Sequence, residues 1–294
     1  MEEYVLGCCK GLERSSELEL ESLGYSVVRT MDGLVVFRTE ERLSDLDAKH
    51  IRTAEWLSLA SALSPGQDEP NTPMASAEIR GREGGLASVF TRASDLAKVN
   101  STTQLWKRDY RRFNHPSAIM PSTAASLLLL TRMDGDLLDP FVGGGTIVIE
   151  DRLYLKEAGL HSKIKFGIHR TAGIDINSHH LSGARKNAKF AGVDGELDLL
   201  LADSTRYEPD HEFNRIVTNP PYGVRGAKKA RIILLYRRLA GHIDKLLSHP
   251  GEGVVATTES SELNNFLEER GYRTDSSLKI RHRKLWVGIV RFWL

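Results

Sequence analysis

Short apolar runs alternate with longer amphipathic stretches along the 294-residue chain. Tyr4-Val5-Leu6-Gly7-Cys8-Cys9 reads as a strand. Gly11-Leu12-Glu13 opens a helix through Leu23, with Leu12, Leu18, Leu20 and Leu23 as inward candidates. Gly24 then stands where a helix end favours a left-handed residue. Ser26-Val27-Val28-Arg29-Thr30 and Leu34-Val35-Val36-Phe37 flank Met31-Asp32-Gly33, and Asp-Gly between two β-rich runs signals a hairpin. Residues 41–63 read as helical. Residues 64–85 are turn-rich, with Ser64-Pro65-Gly66 and Glu69-Pro70-Asn71-Thr72-Pro73, and read as a loop or linker.

From Asn114 onward the pattern changes to strand followed by helix. Leu137-Leu138-Asp139 precedes a helix from Thr146. Thr171-Ala172-Gly173-Ile174-Asp175-Ile176 precedes one over about 178–191. Leu197-Asp198-Leu199-Leu200-Leu201 and Phe213-Asn214-Arg215-Ile216-Val217 come next, then a helix over about 229–247. Gly253-Val254-Val255-Ala256-Thr257 precedes a helix over about 260–270. Such repeats build a parallel sheet with helices on both faces. Two closing runs without a helix between them, Leu278-Lys279-Ile280-Arg281 and 286–293, predict an antiparallel hairpin at the C-terminal edge. The expected fold is therefore α/β, a mostly parallel sheet with a small α+β domain ahead of it.

The composition, 40% hydrophobic and 27% charged, is that of an ordinary globular chain. No run of about 18 apolar residues suggests a membrane span. The acidic start Met1-Glu2-Glu3-Tyr4 lacks the order of a signal peptide. Cys8 and Cys9 are adjacent and alone; they read as buried small apolar residues in a reducing compartment, with no metal site. Net charge is +1, but acids outnumber bases over residues 1–50. Residues 213–243 hold Arg215, Arg225, Lys228, Lys229, Arg231, Arg237 and Arg238 and no acid, and after Asp275 come Lys279, Arg281, Arg283, Lys284 and Arg291. A one-sided basic field suits a polyanion such as nucleic acid, although a solvated helix face explains part of it. Trp106 to Phe113 interleaves bases with aromatics, as either an RNA-touching linker or a packed amphipathic segment would.

The chemistry concentrates at strand ends. Thr218-Asn219-Pro220-Pro221-Tyr222-Gly223 follows an apolar run. Two prolines remove two backbone donors and end the strand in a rigid elbow, and Pro220 keeps Asn219 extended. A side-chain amide, a carbonyl and an aromatic ring then share one strand end, a set suited to gripping a planar group that carries an NH2; a Pro-Pro turn with a packed Tyr is the plainer reading. Asp139-Pro140-Phe141-Val142-Gly143-Gly144-Gly145-Thr146 forms a strand-to-helix turn open to a ligand. It lacks dinucleotide-loop spacing and a phosphate-loop Lys, so a nucleoside without a phosphate chain fits better. A tight structural turn is the alternative. Asp175 can accept ribose hydroxyls or cap the following helix, and Asp203 can accept from an adenine amine or cap a turn with Ser204 and Thr205.

Asp139, Asp175, Asp203 and Asn219 thus follow four successive strands. In this order the sequence resembles the S-adenosylmethionine-dependent methyltransferases with a Rossmann-like sheet, the amino-methylating class with an Asn-Pro-Pro-Tyr motif. The segments Asn114-His115-Pro116-Ser117-Ala118-Ile119-Met120-Pro121, 138–150, Gly173-Ile174-Asp175-Ile176 and 218–225 narrow the resemblance to the THUMP-type tRNA guanine-N2 methyltransferases. Lys10-Gly11-Leu12-Glu13 and Glu19-Leu20-Glu21-Ser22-Leu23-Gly24 resemble their N-terminal ferredoxin-like domain. The resemblance implies residues 1–112 as a ferredoxin-like domain with a reduced THUMP region or linker, and 113–294 as the methyltransferase domain. Residues 41–112 are too short for a full THUMP domain, and the long stretch from Asp139 to Asp175 implies an insertion at 151–170.

Carried over by that resemblance, Asn219, Pro220, Pro221 and Tyr222 are catalytic. Pro121, Asp139, Phe141, Gly143, Gly145, Thr146, Asp175, Ile176, Asp203, Ser204 and Asn219 bind S-adenosyl-L-methionine. Asp175 takes the ribose, Asp203 the adenine amine, and Phe141, Gly143 and Gly145 the methionine end. Arg225, Lys228, Lys229 and Arg231 bind RNA. The partner is tRNA, without a membrane; the expected protein is a cytoplasmic monomer. Adenine-N6 methylation of RNA or DNA, and an RNA-binding module that has lost activity, are the competing readings; glutamine methylation fits less well, because this N-terminus reads as β-rich. His115 and Trp106 are further candidates, with a packed His and a core Trp as the plainer outcomes.

Overall fold

The computed structural model describes residues 1–60, 103–115, 117–161, 169–222, 227–282 and 285–294. It divides into two units, Met1–Lys107 and Arg108–Leu294.

In the first unit, β1 (Glu2–Gly7), α1 (Glu13–Ser22), β2 (Ser26–Met31), β3 (Leu34–Thr39), α2 (Asp45–His50) and β4 (Trp56–Leu59) follow one another, with a short β5 (Thr103–Gln104). The sheet order is β2-β3-β1-β4-β5, and its ladders are antiparallel. This β-α-β-β-α-β arrangement is ferredoxin-like. The helical expectation for 41–63 is corrected here: a short helix opens at Ser44, whose hydroxyl and backbone form a reciprocal cap with Asp47, but Trp56–Leu59 is a strand. Trp56 and Leu57 are β-formers that pack on both faces of the sheet, and tertiary pairing with β1 decides their conformation.

In α1, Leu12 and Leu20 are buried as expected, but Leu18 is 37% exposed. The inward stripe is completed by Ser15, Ser16 and Glu19. Glu19 is buried because its carboxylate accepts from Arg52 N (2.7 Å), Thr53 N (2.8 Å) and Thr53 Oγ1 (2.6 Å). A hydrophobic-only reading passes over such a residue. Cys8 and Cys9 are buried thiols outside any disulfide, and burial pushes the Cys8 thiol well up.

The second unit carries a seven-stranded sheet in the order β11-β12-β10-β9-β6-β7-β8. The strands are β6 (Leu137–Asp139), β7 (Thr171–Asp175), β8 (Asp198–Leu201), β9 (Phe213–Thr218), β10 (Leu247–Thr257), β11 (Arg273–His282) and β12 (Leu285–Trp293). β8 through β10 pair in parallel, whereas β12 and β11 form the antiparallel edge. The helices are α3 (Pro121–Leu128), α4 (Thr146–His161), α5 (Ser178–Ala191), α6 (Ala227–His242) and α7 (Ser260–Glu268). Between Asp139 and Asp175, α4 continues to His161, so part of the expected insertion is helix; residues 162–168 lie outside the described residues. Most of the segment expected as a linker or reduced THUMP region, residues 61–102, also lies outside them.

Tyr236, Leu239, Leu263 and Leu267 pack with Ile216, Val255 and Phe292 on one face of the sheet. Val142, Val148, Leu181 and Tyr110 pack on the other. No helix among the described residues is long and apolar enough to cross a membrane.

Candidate active site

The chain winds from β6 outward through β7 to β8, then returns to lay β9 on the opposite side of β6. At such a switch point the loops leaving the two neighbouring strands diverge, and a crevice opens at the carboxyl ends. Asp139 ends β6 and Asn219 follows β9, so the glycine turn and the Pro-Pro elbow begin side by side. Thr218 Oγ1 joins them by donating to Asp139 Oδ1 at 2.6 Å.

A cavity of about 450 Å³ occupies this crevice. Asp139, Phe141, Gly143, Thr146, Asp175, Ile176, Asp203, Ser204, Asn219 and Pro221 all line it, drawn from segments far apart in sequence. Pro121, Gly145, Pro220 and Tyr222 do not form its wall. Pro121 instead opens α3, where a missing backbone N–H costs nothing. Gly145, at φ +83°, faces Ala184 and Ile149; its role is to let the turn pack against α5. By contrast Gly143, at φ +50°, would place a Cβ no nearer than 3.9 Å to any neighbour, His115 included. Backbone conformation rather than crowding therefore selects glycine there.

Burial pushes the Asp139 carboxyl up to about 7, despite hydrogen bonds from Thr218 and Phe141 N that favour the ionised form; Asp175 adds to the rise. Asp175 is not the cap of α5. That place is taken by Asn177, whose side chain accepts from His179 N. Asp175 Oδ2 instead accepts from Gly143 N at 3.1 Å and Oδ1 from Asn177 N at 2.8 Å. The His180 ring nitrogen lies 3.2 Å from Oδ2. Asp203 combines both sequence readings: Oδ1 accepts from Thr205 N and Oγ1 at 2.9 and 2.8 Å while the residue lines the cavity. The bonds from Thr205 hold its carboxyl below the usual range.

At the elbow, Asn219 Nδ2 donates to Ser117 O at 3.2 Å, and the Tyr222 hydroxyl donates to Asn219 Oδ1. The side chain is thus fixed from both ends. Pro220 is buried, while Pro221 is exposed on the cavity side. Tyr222 turns its ring toward His282 of β11, edge to face at 6.2 Å.

The structure adds His180, which sequence reasoning missed, beside His115, a candidate from the sequence: both line the cavity, with their rings edge to face at 4.4 Å. Arg238 reaches the wall from α6. Asn187 binds Arg112 N, Phe113 N, Phe113 O and Gly144 O, tying residues 112–113 to the glycine turn. Tyr236 donates to Pro221 O at 2.9 Å. Only the contiguity of Asn177-Ser178-His179-His180 with Asp175 offered a sequence signal. Trp106, 38% exposed, lies in the first unit and is not a core residue.

The basic run is neutralised in part within the fold. Arg215 is buried and pairs with Asp151 at 3.0 Å, with Gly135 O as a further acceptor. Lys229 pairs with Glu259 at 2.9 Å, and Arg237 lies over the Phe266 ring. Arg231 is exposed. Arg225 and the Lys228 side chain lie outside the described residues. A stretch without acids in sequence receives its carboxylates from elsewhere in the fold. Among the described residues no cluster of His, Cys, Asp and Glu could hold a metal ion.

Comparison with known proteins converges on this unit. The family of RMKL-like methyltransferase domains matches residues 108–287. The chain is 28% identical over 203 residues to the tRNA (guanine(6)-N2)-methyltransferase of Methanocaldococcus jannaschii, covering 59% of this chain and 53% of that protein. It is 35% identical over 158 residues to the tRNA (guanine(10)-N2)-dimethyltransferase of Pyrococcus abyssi, covering 47% and 44%. The chain thus spans about half the length of the curated relatives it matches. In fold it is similar to TrmN from Thermus thermophilus, with a TM-score of 0.69 at 19% identity over 100% of this chain and 99% of that one.

Proposed function

The chain belongs to the family of RMKL-like methyltransferase domains, and from that premise we propose that it transfers a methyl group from S-adenosyl-L-methionine to the exocyclic N2 amine of a guanosine in tRNA. One observation carries the reading: the Asn219 elbow opens onto the same cavity as Asp175, Asp203 and the glycine turn. The guanosine and tRNA assignments are supported by the names of the M. jannaschii and P. abyssi relatives.

The cavity residues fit that cofactor. Asp175 offers carboxylate lone pairs to ribose hydroxyls, and Ile176, 75% exposed, offers an apolar edge to a purine. Asp203, held ionised by Thr205, accepts from an exocyclic adenine amine. The turn at Gly143 and Gly144 brings backbone to the cavity wall, where the amino-acid end would lie. When bound, the cofactor supplies an electrophilic methyl group on a sulfonium.

The protein's own part is positioning. A guanine amine is a weak nucleophile because its lone pair is delocalised into the ring. Asn219 Oδ1 and the Pro220 carbonyl accept hydrogen bonds from its two N–H groups, which returns electron density to nitrogen and aims the lone pair; the proton the amine sheds on methylation passes to water. Asn219 Oδ1 already accepts from Tyr222, and its second lone pair remains for the substrate. Tyr222 acts by holding the Asn219 amide in place through its hydroxyl. Such fixed acceptors act through orientation and electrostatics. A paired base must leave its stack to enter, and Arg231 with Arg225 and Lys228 holds phosphates, while Lys229 is already paired with Glu259.

The test is methyl transfer from labelled S-adenosyl-L-methionine to bulk unmodified tRNA, with nucleoside analysis of the product. N2-methylguanosine is expected, and Asn219→Ala should lower turnover by at least about a hundredfold, the scale of a lost preorganised polar group, with cofactor affinity retained. N6-methyladenosine would move the substrate to adenine. A bound cofactor with no transfer to tRNA would overturn the proposal.

A further inference from the structure

The C-terminal hairpin ends beside the elbow. β12 pairs with β10 so that Gly288 lies opposite Thr257, the last residue of β10. Beyond that point β11 and β12 project past the carboxyl end of the parallel strands. Arg281 lies opposite Trp286, and Lys279 opposite Gly288. Directly opposed residues share a face, so Lys279, Arg281 and Trp286 form one surface. Farther along that face Val290 and Phe292 are buried with α6 and α7, and α7 begins its cover at Gly288, where an added Cβ would meet Ser260 Oγ at 2.6 Å.

Past Gly288 the face is bare. Trp286 is 63% exposed, and Lys279 and Arg281 are exposed beside it. Among the described residues no carboxylate pairs with Lys279 or Arg281. The opposite face is buried through Ile280, Val287 and His282, and the His282 ring meets that of Tyr222. The exposed surface is therefore one residue removed from a direct contact with the elbow.

A large planar ring beside two cations with no carboxylate partner among the described residues suits a partner that is at once planar and polyanionic. Unpaired nucleic acid has both properties, since each base has a face to stack and each linkage a phosphate. We propose that this end of the hairpin docks RNA: an unstacked base lies on the Trp286 indole and neighbouring phosphates meet Lys279 and Arg281. The inference rests on the methyl-transfer reading above and adds a second point of attachment outside the cavity.

The test is fluorescence anisotropy of labelled unmodified tRNA titrated with the full chain in the presence of S-adenosylhomocysteine. Trp286→Ala should weaken binding about tenfold, the scale of one lost base–aromatic stack, and Trp286→Phe should restore most of it. Lys279→Gln with Arg281→Gln should reduce the salt slope by roughly 1.4 to 1.8, about 0.7 to 0.9 per phosphate contact. Cofactor affinity should be unchanged throughout. If the wild type methylates tRNA and Trp286→Ala binds it equally well, the hairpin assignment falls and the methyl-transfer reading stands. If the wild type neither binds nor methylates tRNA, both fall. Loss of a dimer on Trp286→Ala would assign the face to a second copy and overturn the RNA assignment.

Discussion

The Tyr236 hydroxyl donates to the Pro221 carbonyl at 2.9 Å and itself accepts from Thr257 Oγ1 at 2.9 Å, which in turn accepts from Glu259 N at 3.0 Å. Tyr236 is fully buried on α6. This chain of bonds ties the elbow after β9 to the end of β10. An elbow built from two prolines has no N–H of its own there, so its position depends on what its carbonyls meet. Tyr236→Phe keeps the ring packing and removes the bond. We expect turnover to fall about tenfold, the scale of one hydrogen bond, with cofactor affinity unchanged. Thr257→Val should act in the same direction. Equal kcat in Tyr236→Phe would show that packing alone holds the elbow.

Asp175 collects the Gly143 and Asn177 amides and faces His180. Asp175→Ala should weaken S-adenosylhomocysteine binding at least tenfold in calorimetry, as expected when a charged acceptor is lost. Unchanged affinity would remove this carboxylate from the ribose role.

The Asp139 carboxyl, raised to about 7 by burial, gives a stability term with a definite sign. The unfolded chain releases this proton near pH 4, the ordinary Asp value, while the native state keeps it. Between about pH 4 and 7 the native state binds more protons, so stability falls as pH rises through that window and levels off beyond it. Asp139→Asn retains an acceptor for Thr218 and cannot ionise. Its thermal midpoint should decline less than that of the wild type from pH 4 to 7. Identical slopes would refute the assignment.

Arg215 and Asp151 form an ion pair with side chains 1% and 0% exposed. Arg215→Met leaves the buried Asp151 carboxylate with a hydrogen bond from Thr171 Oγ1 at 2.7 Å but without its cation. Removing one member of a buried pair costs about 3–5 kcal/mol, so urea denaturation should show a loss of that order. Asp151→Asn alongside Arg215→Met should recover part of it, because no isolated charge then stays buried.

Much of this was legible along the chain. Asp139, Asp175, Asp203 and Asn219 each stand at the end of a short apolar run, and period and punctuation locate strand ends without knowledge of the fold. The extent of α5, expected over about 178–191, was equally local, since Asn177 caps one end and Gly192, at φ +69°, ends the other. The strand Trp56–Leu59 was not legible, because four residues carry too little pattern and β1 supplies the pairing that makes them a strand.

The sequence alone determined which residues stand at the strand ends, because each depends on neighbours a few positions away. Tertiary structure decided which of them share a cavity, since the crossing of the chain at β6 and β9 is a long-range event. It also decided the fate of charge. Arg215 and Lys229 read as free cations until Asp151 and Glu259 arrive from other elements, whereas Lys279, Arg281 and Trp286 stay exposed because α7 begins its cover only at Gly288. A side chain's partners are set by three-dimensional proximity, and one-dimensional order carries that information only within a turn or two.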